Sequence, residues 1–368
     1  MCQAPRERYG DRNLNRRLLV IPALLAVLIG IWAGLVRVGW DWPMPRGGWV
    51  PDHGPLLVSG FLGTVIGMER AVALDRRPAF IAPLLGAVGI LTLVLGAPSP
   101  TAQILMIGAA IGMTAVNVLG PLSRGRFADH ALVVIAGSLM WLAGNVLWAF
   151  GFAGYQLTLF WIGFVALTIG GERLELSQFS RPGPRARVLF WVFAALLPLG
   201  AGLSAGGIWS GQRILGAGLV TLTLWLVRYD FARRIAGKAG LSRYMALTLT
   251  SAYVWMFIAG ASWLYHGNLV AGPIYDGAVH SFFLGFVIVM IFAHAPVIFA
   301  AMAGISEAFH PMLYAPVALM HGSLAARFLG DLFAEPGLRQ WGALLNAVAL
   351  VVFLVFMVRL AQRARPLA

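Results

Sequence analysis

Histidines are the side chains of this sequence best suited to chemistry, and two of them open long apolar stretches. His53 begins HGPLLVSGFLGTVIGMER, and His280 begins HSFFLGFVIVMIFAHAP. If both stretches are membrane helices that descend from the same side, the two rings could meet across a bundle. A neutral imidazole can bind the axial position of a haem iron, and two on facing helices can hold a b-type haem. The alternative is that both are interfacial histidines, hydrogen-bonded to headgroups or to the backbone.

Three further ionisable residues fall within or at the inner ends of the apolar stretches. His294 shares nearly one helix face with His280 but lies about 21 Å further along, at about 1.5 Å per residue, so one iron cannot use both. We interpret His294 as structural, with a second polar site beside Pro296 as the alternative. Glu69 and Glu172 each precede an arginine, a pattern typical of anchors at the inner interface. The alternative for Glu69 is a role in proton entry.

A third group lies near the end of the chain. His321, in LMHGSL, is a candidate third ligand for a metal or a haem. Arg327 and Asp331 have the spacing of a helical ion pair. A haem propionate would need a cationic partner such as Arg327.

The composition places these residues in a membrane. Of the 368 residues, 60% are hydrophobic and only 11% are charged, and the mean hydropathy is +0.81, far above that of soluble proteins. The net charge of +13 does not indicate nucleic-acid binding, because the basic residues sit in short loops rather than on one face. Cys2 is the single cysteine, which excludes an intrachain disulfide and a cysteine-based metal site.

Charged and Pro/Gly-rich breaks divide the chain into segments of about 20 apolar residues, the length that spans a bilayer. The sequence thus predicts an all-α polytopic membrane protein with a basic N-terminus (1–17), a twelve-helix membrane domain (18–361) and a C-terminal tail (362–368). We interpret the first segment as a retained membrane helix, since it is long for a signal peptide. The twelve predicted spans are 18–36, 53–72, 80–97, 101–120, 130–152, 156–172, 188–206, 212–229, 244–266, 274–302, 310–330 and 341–361.

Orientation follows from the basic residues. Most of the 27 Lys and Arg residues fall on one side of the predicted spans, which indicates cytoplasmic N- and C-termini. On this orientation His53, His280 and His321 belong to the outer half of the membrane. The longest outer loop, 37–52, carries Trp40, Trp42 and Trp49, which is typical of an interfacial aromatic belt, with a lid over an outer site as the alternative. The outer side carries only Arg37, Arg46, Arg213, Arg327 and Arg339.

Short internal similarities indicate a repeat. FLGTVIGM at 61–68 and FLGFVIVM at 283–290 agree at most positions, and IGMER at 66–70 recurs as IGGER at 169–173. These words lie in predicted helices 2, 10 and 6, which gives a period of four helices. The repeat predicts three four-helix units around a pseudo-threefold axis.

Together these features resemble subunit I of the heme-copper oxidase superfamily. The resemblance implies a twelve-helix bundle with pseudo-threefold symmetry, haem ligands at His53 in HGPLL and His280 in HSFFLG, and propionate partners at Arg327 or Arg339. Copper-ligating histidines of the oxidase pattern are absent from predicted helices 6 and 7. An oxygen-reducing binuclear centre is therefore not expected, and copper binding is left open without support.

Within that superfamily the sequence is similar to the NnrS-like branch of bacterial membrane proteins. That resemblance implies a haem-binding protein of the bacterial cytoplasmic membrane, involved in nitric oxide or redox stress, with a redox partner besides the lipid bilayer. APVIFAAM follows the late histidine helix where the branch has a basic, glycine-rich sequence.

Two other functions remain open. One is a proton-coupled secondary transporter of a small solute, with Glu69, Glu172 and His294 as coupling groups. The other is a structural or assembly protein without a cofactor. Whether the chain is an enzyme is not decided by the residues.

Overall fold

The computed structural model describes residues 7–97, 99–303 and 309–363, and over these ranges the chain is helical and contains no strand. The expected all-α polytopic membrane architecture is thus confirmed. Each predicted span coincides with one helix, and we number these helices in chain order. They are α1 Glu7–Arg37, α2 Pro55–Leu62 continued by Gly63–Leu74, α3 Ile81–Leu95, α4 Ser99–Ser123, α5 Asp129–Ala149, α6 Gly154–Ser177, α7 Pro184–Ala205, α8 Ser210–Tyr229, α9 Gly240–His266, α10 Pro273–His280 continued by Ser281–Ile288 and Val289–Ala303, α11 Tyr314–Leu332 and α12 Pro336–Arg363.

Ten helices of the described chain are long and apolar enough to cross a membrane. The other two are α1, whose apolar part Ile21–Arg37 is shorter, and α11, which carries Arg327 and Asp331 among its apolar residues. The chain is therefore a multi-pass membrane protein in contact with the lipid bilayer. The count of twelve spans and the orientation of the termini stay predictions.

The chain divides into two compact units, residues 1–164 and 165–368. The three four-helix units that the internal similarities indicate stay a prediction. In the first unit a buried apolar cluster joins helices α1 to α4, because small and large side chains alternate across their contact. Its members are Ala26, Leu56, Ile90, Leu93, Ala102 and Met106.

The loop at 37–52 in the first unit packs back onto the helices that flank it. Trp32 Nε1 donates to the Pro43 carbonyl over 3.0 Å, and Trp49 Nε1 donates to the Val94 carbonyl over 3.1 Å. Arg46 donates to the Leu95 carbonyl at the end of α3. These bonds fix the segment that leads into His53.

In the second unit, α11 and α12 form a tight antiparallel pair. A Cβ atom added at Gly342 would lie 2.5 Å from the Arg327 backbone nitrogen and 2.8 Å from the Ser323 carbonyl oxygen. A side chain there would collide with the backbone of α11, so glycine is required for this approach. The pairing places Arg327 and Arg339 at the same end of the helix pair.

Two helices depart from α-helical geometry in the same way. Pro55–Leu62 in α2 and Ser281–Ile288 in α10 are both eight-residue π-helices. Such widened turns are rare and occur frequently at functional sites. The first begins two residues after His53 and the second begins directly after His280, the two histidines that open the predicted ligand helices.

Candidate functional site

His53 is anchored by the backbone of α1. Its Nδ1 lies 2.6 Å from the Gly30 carbonyl oxygen, and because a carbonyl only accepts, Nδ1 must carry the proton. The Nε2 lone pair is then the nitrogen that a metal could bind. A Cβ atom at Gly34 would lie 2.6 Å from His53 Cε1, so the missing side chain at Gly34 makes room for the ring.

The glycines of α2 do not leave an open slot for a flat cofactor. A Cβ atom at Gly63 would lie 2.2 Å from Trp141 Cζ2, so the indole of α5 fills that position. Trp141 Nε1 donates to Ser59 Oγ over 3.0 Å, and Ser59 donates to Asn145 Oδ1 over 2.8 Å. These side chains are buried and bind α5 to the π-helix of α2.

His280 is anchored in a similar manner within the second unit. Its Nδ1 lies 2.8 Å from the Asp276 carbonyl oxygen, one turn earlier in α10, so Nδ1 again carries the proton. Its Nε2 lies 3.3 Å from an Arg327 guanidinium nitrogen, which donates to it. The nitrogen that would bind a metal is thus engaged by a cation.

Arg327 and Arg339 belong to a partly buried cluster of charges around His280. Arg327 donates to Asp276 Oδ2 from Nε over 3.1 Å and from Nη2 over 2.8 Å. Arg339 Nε lies 3.0 Å from Asp331 Oδ1 and 3.8 Å from Asp276 Oδ2. Two arginines and two carboxylates balance, so with a neutral His280 this Arg327 cluster carries no net charge.

His321 is placed differently from the other two predicted ligands. Trp255 Nε1 donates to its Nδ1 over 2.8 Å, and its Nε2 lies 2.9 Å from Ser251 Oγ. Both ring nitrogens are therefore used by neighbouring side chains of α9. A ligand role for His321 would require both bonds to break, so the geometry favours a structural role.

His294 lies in a second cluster, formed with Arg173, Asp230 and Tyr253. Its Nδ1 lies 2.8 Å from the Met290 carbonyl oxygen, and its Nε2 lies 3.0 Å from an Arg173 guanidinium nitrogen. Arg173 Nη1 also lies 3.9 Å from Asp230 Oδ2, which accepts from the Tyr253 hydroxyl. We call these four residues the Arg173 cluster.

The two glutamates singled out in the sequence, Glu69 and Glu172, lie in different helices. Glu69, in α2, is exposed, and Glu172, in α6, is partly buried beside Arg173. An anchoring role fits the exposure of Glu69. Arg173, by contrast, is only 6% exposed and points to other helices, which an interfacial anchor would not do.

The residues fit a haem better than an isolated metal ion. Over the described part of the chain, no three His, Cys, Asp or Glu side chains could hold a metal ion together. Haem needs only an axial imidazole, oriented by a bond from its other nitrogen. His53 and His280 both have Nδ1 oriented in this way, and Arg327 would have to leave the Nε2 of His280 for that ring to bind iron. The donor set gives copper no comparable support.

Comparison with known proteins identifies the family. A family model described as a domain of unknown function (DUF8744) matches residues 16–362. The chain belongs to this family. None of the curated proteins matches the chain.

In this DUF8744 chain, several residues of the Arg327 and Arg173 clusters were not predicted from the sequence. Asp276 precedes His280 by one helical turn, and that spacing could have indicated the pair. Asp230 and Tyr253 gave no comparable signal, because their contacts with Arg173 depend on how α6, α8 and α9 rotate against one another.

Proposed function

We propose that this chain is a haem-binding integral membrane protein of the NnrS-like type, with His53 and His280 as axial ligands of a b-type haem. The observation that carries the proposal is the shared geometry of the two histidines. Each stands within two residues of the start of a π-helix, and each has its Nδ1 hydrogen-bonded to a backbone carbonyl. This arrangement fixes the tautomer that binds iron through Nε2.

Arg327 and Arg339 support the same proposal. Guanidinium groups pair well with carboxylates, and both arginines lie in the cluster that contains His280. In the described structure their partners are Asp276 and Asp331. We infer that haem propionates would compete with these carboxylates, which would draw Arg327 away from the ring it contacts.

We also propose a membrane arrangement for the chain. The chain would have twelve spans in a heme-copper oxidase-like bundle with pseudo-threefold symmetry, in the bacterial cytoplasmic membrane, with both termini cytoplasmic. The role is in nitric oxide or redox stress, together with a redox partner. Bound haem supplies one-electron transfer or gas binding, while the chain orients the imidazoles and excludes water around them.

Histidine variants test the ligand assignment. We expect His53→Ala and His280→Ala each to abolish a bis-histidine low-spin spectrum, because each removes an axial nitrogen. His130→Ala, at the start of α5, is the matched control and should keep the spectrum. Reduced-minus-oxidised absorption of the purified variants provides the measurement. An unchanged low-spin spectrum in His53→Ala or in His280→Ala would reject the assignment.

A proton-coupled secondary transporter is the second candidate function. The observation that favours it is the buried Arg173 cluster, since ionisable groups inside membrane proteins mark ion and proton pathways. His294, rather than the exposed Glu69, is the coupling group that the geometry favours. Solute uptake that depends on pH in proteoliposomes of colourless protein, and that His294→Gln abolishes, would support this function.

A further inference from the structure

The Arg173 cluster joins four separate parts of the second unit. Arg173 comes from α6, Asp230 follows the last residue of α8, Tyr253 comes from α9, and His294 comes from α10. Arg173, Asp230 and Tyr253 are 6%, 2% and 1% exposed. Burial of an arginine and a carboxylate is costly unless both are paired, so this group of charges calls for an explanation.

Arg173 is shared between two acceptors of different kinds. One is the His294 Nε2 atom at 3.0 Å, and the other is the Asp230 carboxylate at 3.9 Å. The nearer acceptor is the neutral one. Asp230 is held in place independently, because its Oδ1 accepts from the Ala232 backbone N–H over 2.7 Å and its Oδ2 accepts from the Tyr253 hydroxyl.

The bond between Arg173 and His294 exists in only one protonation state. His294 Nδ1 already donates to the Met290 carbonyl, so Nε2 accepts from Arg173 only while it lacks a proton. Protonation removes this acceptor and places two cations side by side. The carboxylate of Asp230 is then the nearest group that can balance the guanidinium.

Few other titratable groups face His294. Tyr244 of α9 donates to the Phe292 carbonyl of α10 over 3.0 Å, and its ring packs edge-on against Tyr314 of α11. From α12 the contact is apolar, through stacking of Phe353 on Phe292. Among the residues that the structure describes, the charged groups facing His294 are thus Arg173 and Asp230, with the Tyr253 hydroxyl behind Asp230.

We propose that the Arg173 cluster is a proton-binding site, in which His294 takes up one proton and the Arg173 guanidinium passes from His294 to Asp230. The proton taken from the surrounding water forms a bond to Nε2, the hydrogen bond from Arg173 to Nε2 breaks, no covalent bond within the protein breaks, and no electron moves. The net charge of the four side chains rises from zero to plus one. The site binds its proton without haem, so it is independent of the ligand roles of His53 and His280.

Histidine-selective ¹⁵N NMR of the full chain in nanodiscs tests the proposal. Wild-type protein is titrated from about pH 8 down to about pH 3, beyond the ordinary range of histidine, because the Arg173 cation beside the ring opposes its protonation. The His294 signal is identified by its loss in His294→Gln. We expect that signal to pass from the Nδ1–H form to the doubly protonated form. In Arg173→Gln, we expect the proton affinity of His294 to rise at least about ten-fold, since a neighbouring cation opposes protonation.

His321 is the internal control for the same spectra. It also lies in a helix with both ring nitrogens bonded, but its partners Trp255 and Ser251 are uncharged. Its titration should be the same in wild type and Arg173→Gln. If His294→Gln does not fold, ¹⁵N–¹⁵N distances to guanidinium nitrogens assign the signal in the wild type. A His294 that stays neutral over the whole range, or that titrates identically in Arg173→Gln, would overturn the proposal.

Discussion

Three histidines in this chain show how local bonding decides what an imidazole can do. His53 and His280 each donate from Nδ1 to a backbone carbonyl, which directs the Nε2 lone pair away from that helix turn. His321 has side-chain partners at both ring nitrogens. The sequence placed all three in one candidate ligand set, since their depth along the predicted helices is similar. The structure distinguishes them by hydrogen bonding, which hydropathy does not report.

The ion pair between Arg327 and Asp276 should contribute to the stability of the fold. The side chain of Arg327 is 7% exposed and that of Asp276 is 19% exposed. We expect Arg327→Gln to lower the free energy of unfolding by about 2 kcal/mol, because it leaves a partly buried carboxylate with a poorer partner. Reversible unfolding of haem-free protein in mixed micelles is the measurement.

Asp276→Asn on the Arg327→Gln background is the matched second step. It removes the uncompensated charge, so the double variant should recover most of the lost stability. Two losses that simply add would show that these side chains do not interact in the folded protein.

At the scale of helices, α2 and α10 are alike in structure as well as in sequence. Both contain an eight-residue π-helix, and the similar words at 61–68 and 283–290 overlap these segments or follow them directly. A π-helix rotates the residues beyond it relative to an α-helix, so it changes which side chains share a face. The angle between His280 and His294 on α10 therefore could not be obtained from a regular helical period.

The close contact of α11 and α12 should make Gly342 sensitive to substitution. We expect Gly342→Ala to lower the free energy of unfolding by about 2 kcal/mol, because its methyl group would strike the backbone at Arg327 and Ser323. Gly322→Ala on α11 is the control, since a Cβ there meets nothing within 4 Å. The control should be neutral or stabilising by up to about 1 kcal/mol. Thermal unfolding followed by circular dichroism compares them, and equal losses would refute the contact.

Hydropathy predicted the helices well because spanning length and apolar composition are properties of each segment alone. Every predicted span coincides with a helix of the structure. The pairing of Arg173 with His294 and Asp230 was not predicted, because it depends on packing between helices distant in sequence. Asp276 lies within one turn of His280 and was overlooked although the spacing was visible. The helices can thus be predicted from local sequence, whereas the charge clusters can be identified only from the tertiary structure.

For the whole molecule, the basic residues predict that both termini face the cytoplasm. Reporters fused at each terminus should therefore give cytoplasmic signals. A reporter inserted at Gly47 or Gly48, where added side chains meet nothing within 4 Å, should give an external signal. Termini on opposite sides of the membrane would contradict an even number of spans.

Pyridine haemochrome quantitation, with a reduced-minus-oxidised spectrum of wild-type protein from haem-replete cells, tests haem binding itself. We expect about one or more b-type haems per chain, with the low-spin spectrum of two imidazole ligands. A purified, folded protein without haem would contradict it and would favour the transporter.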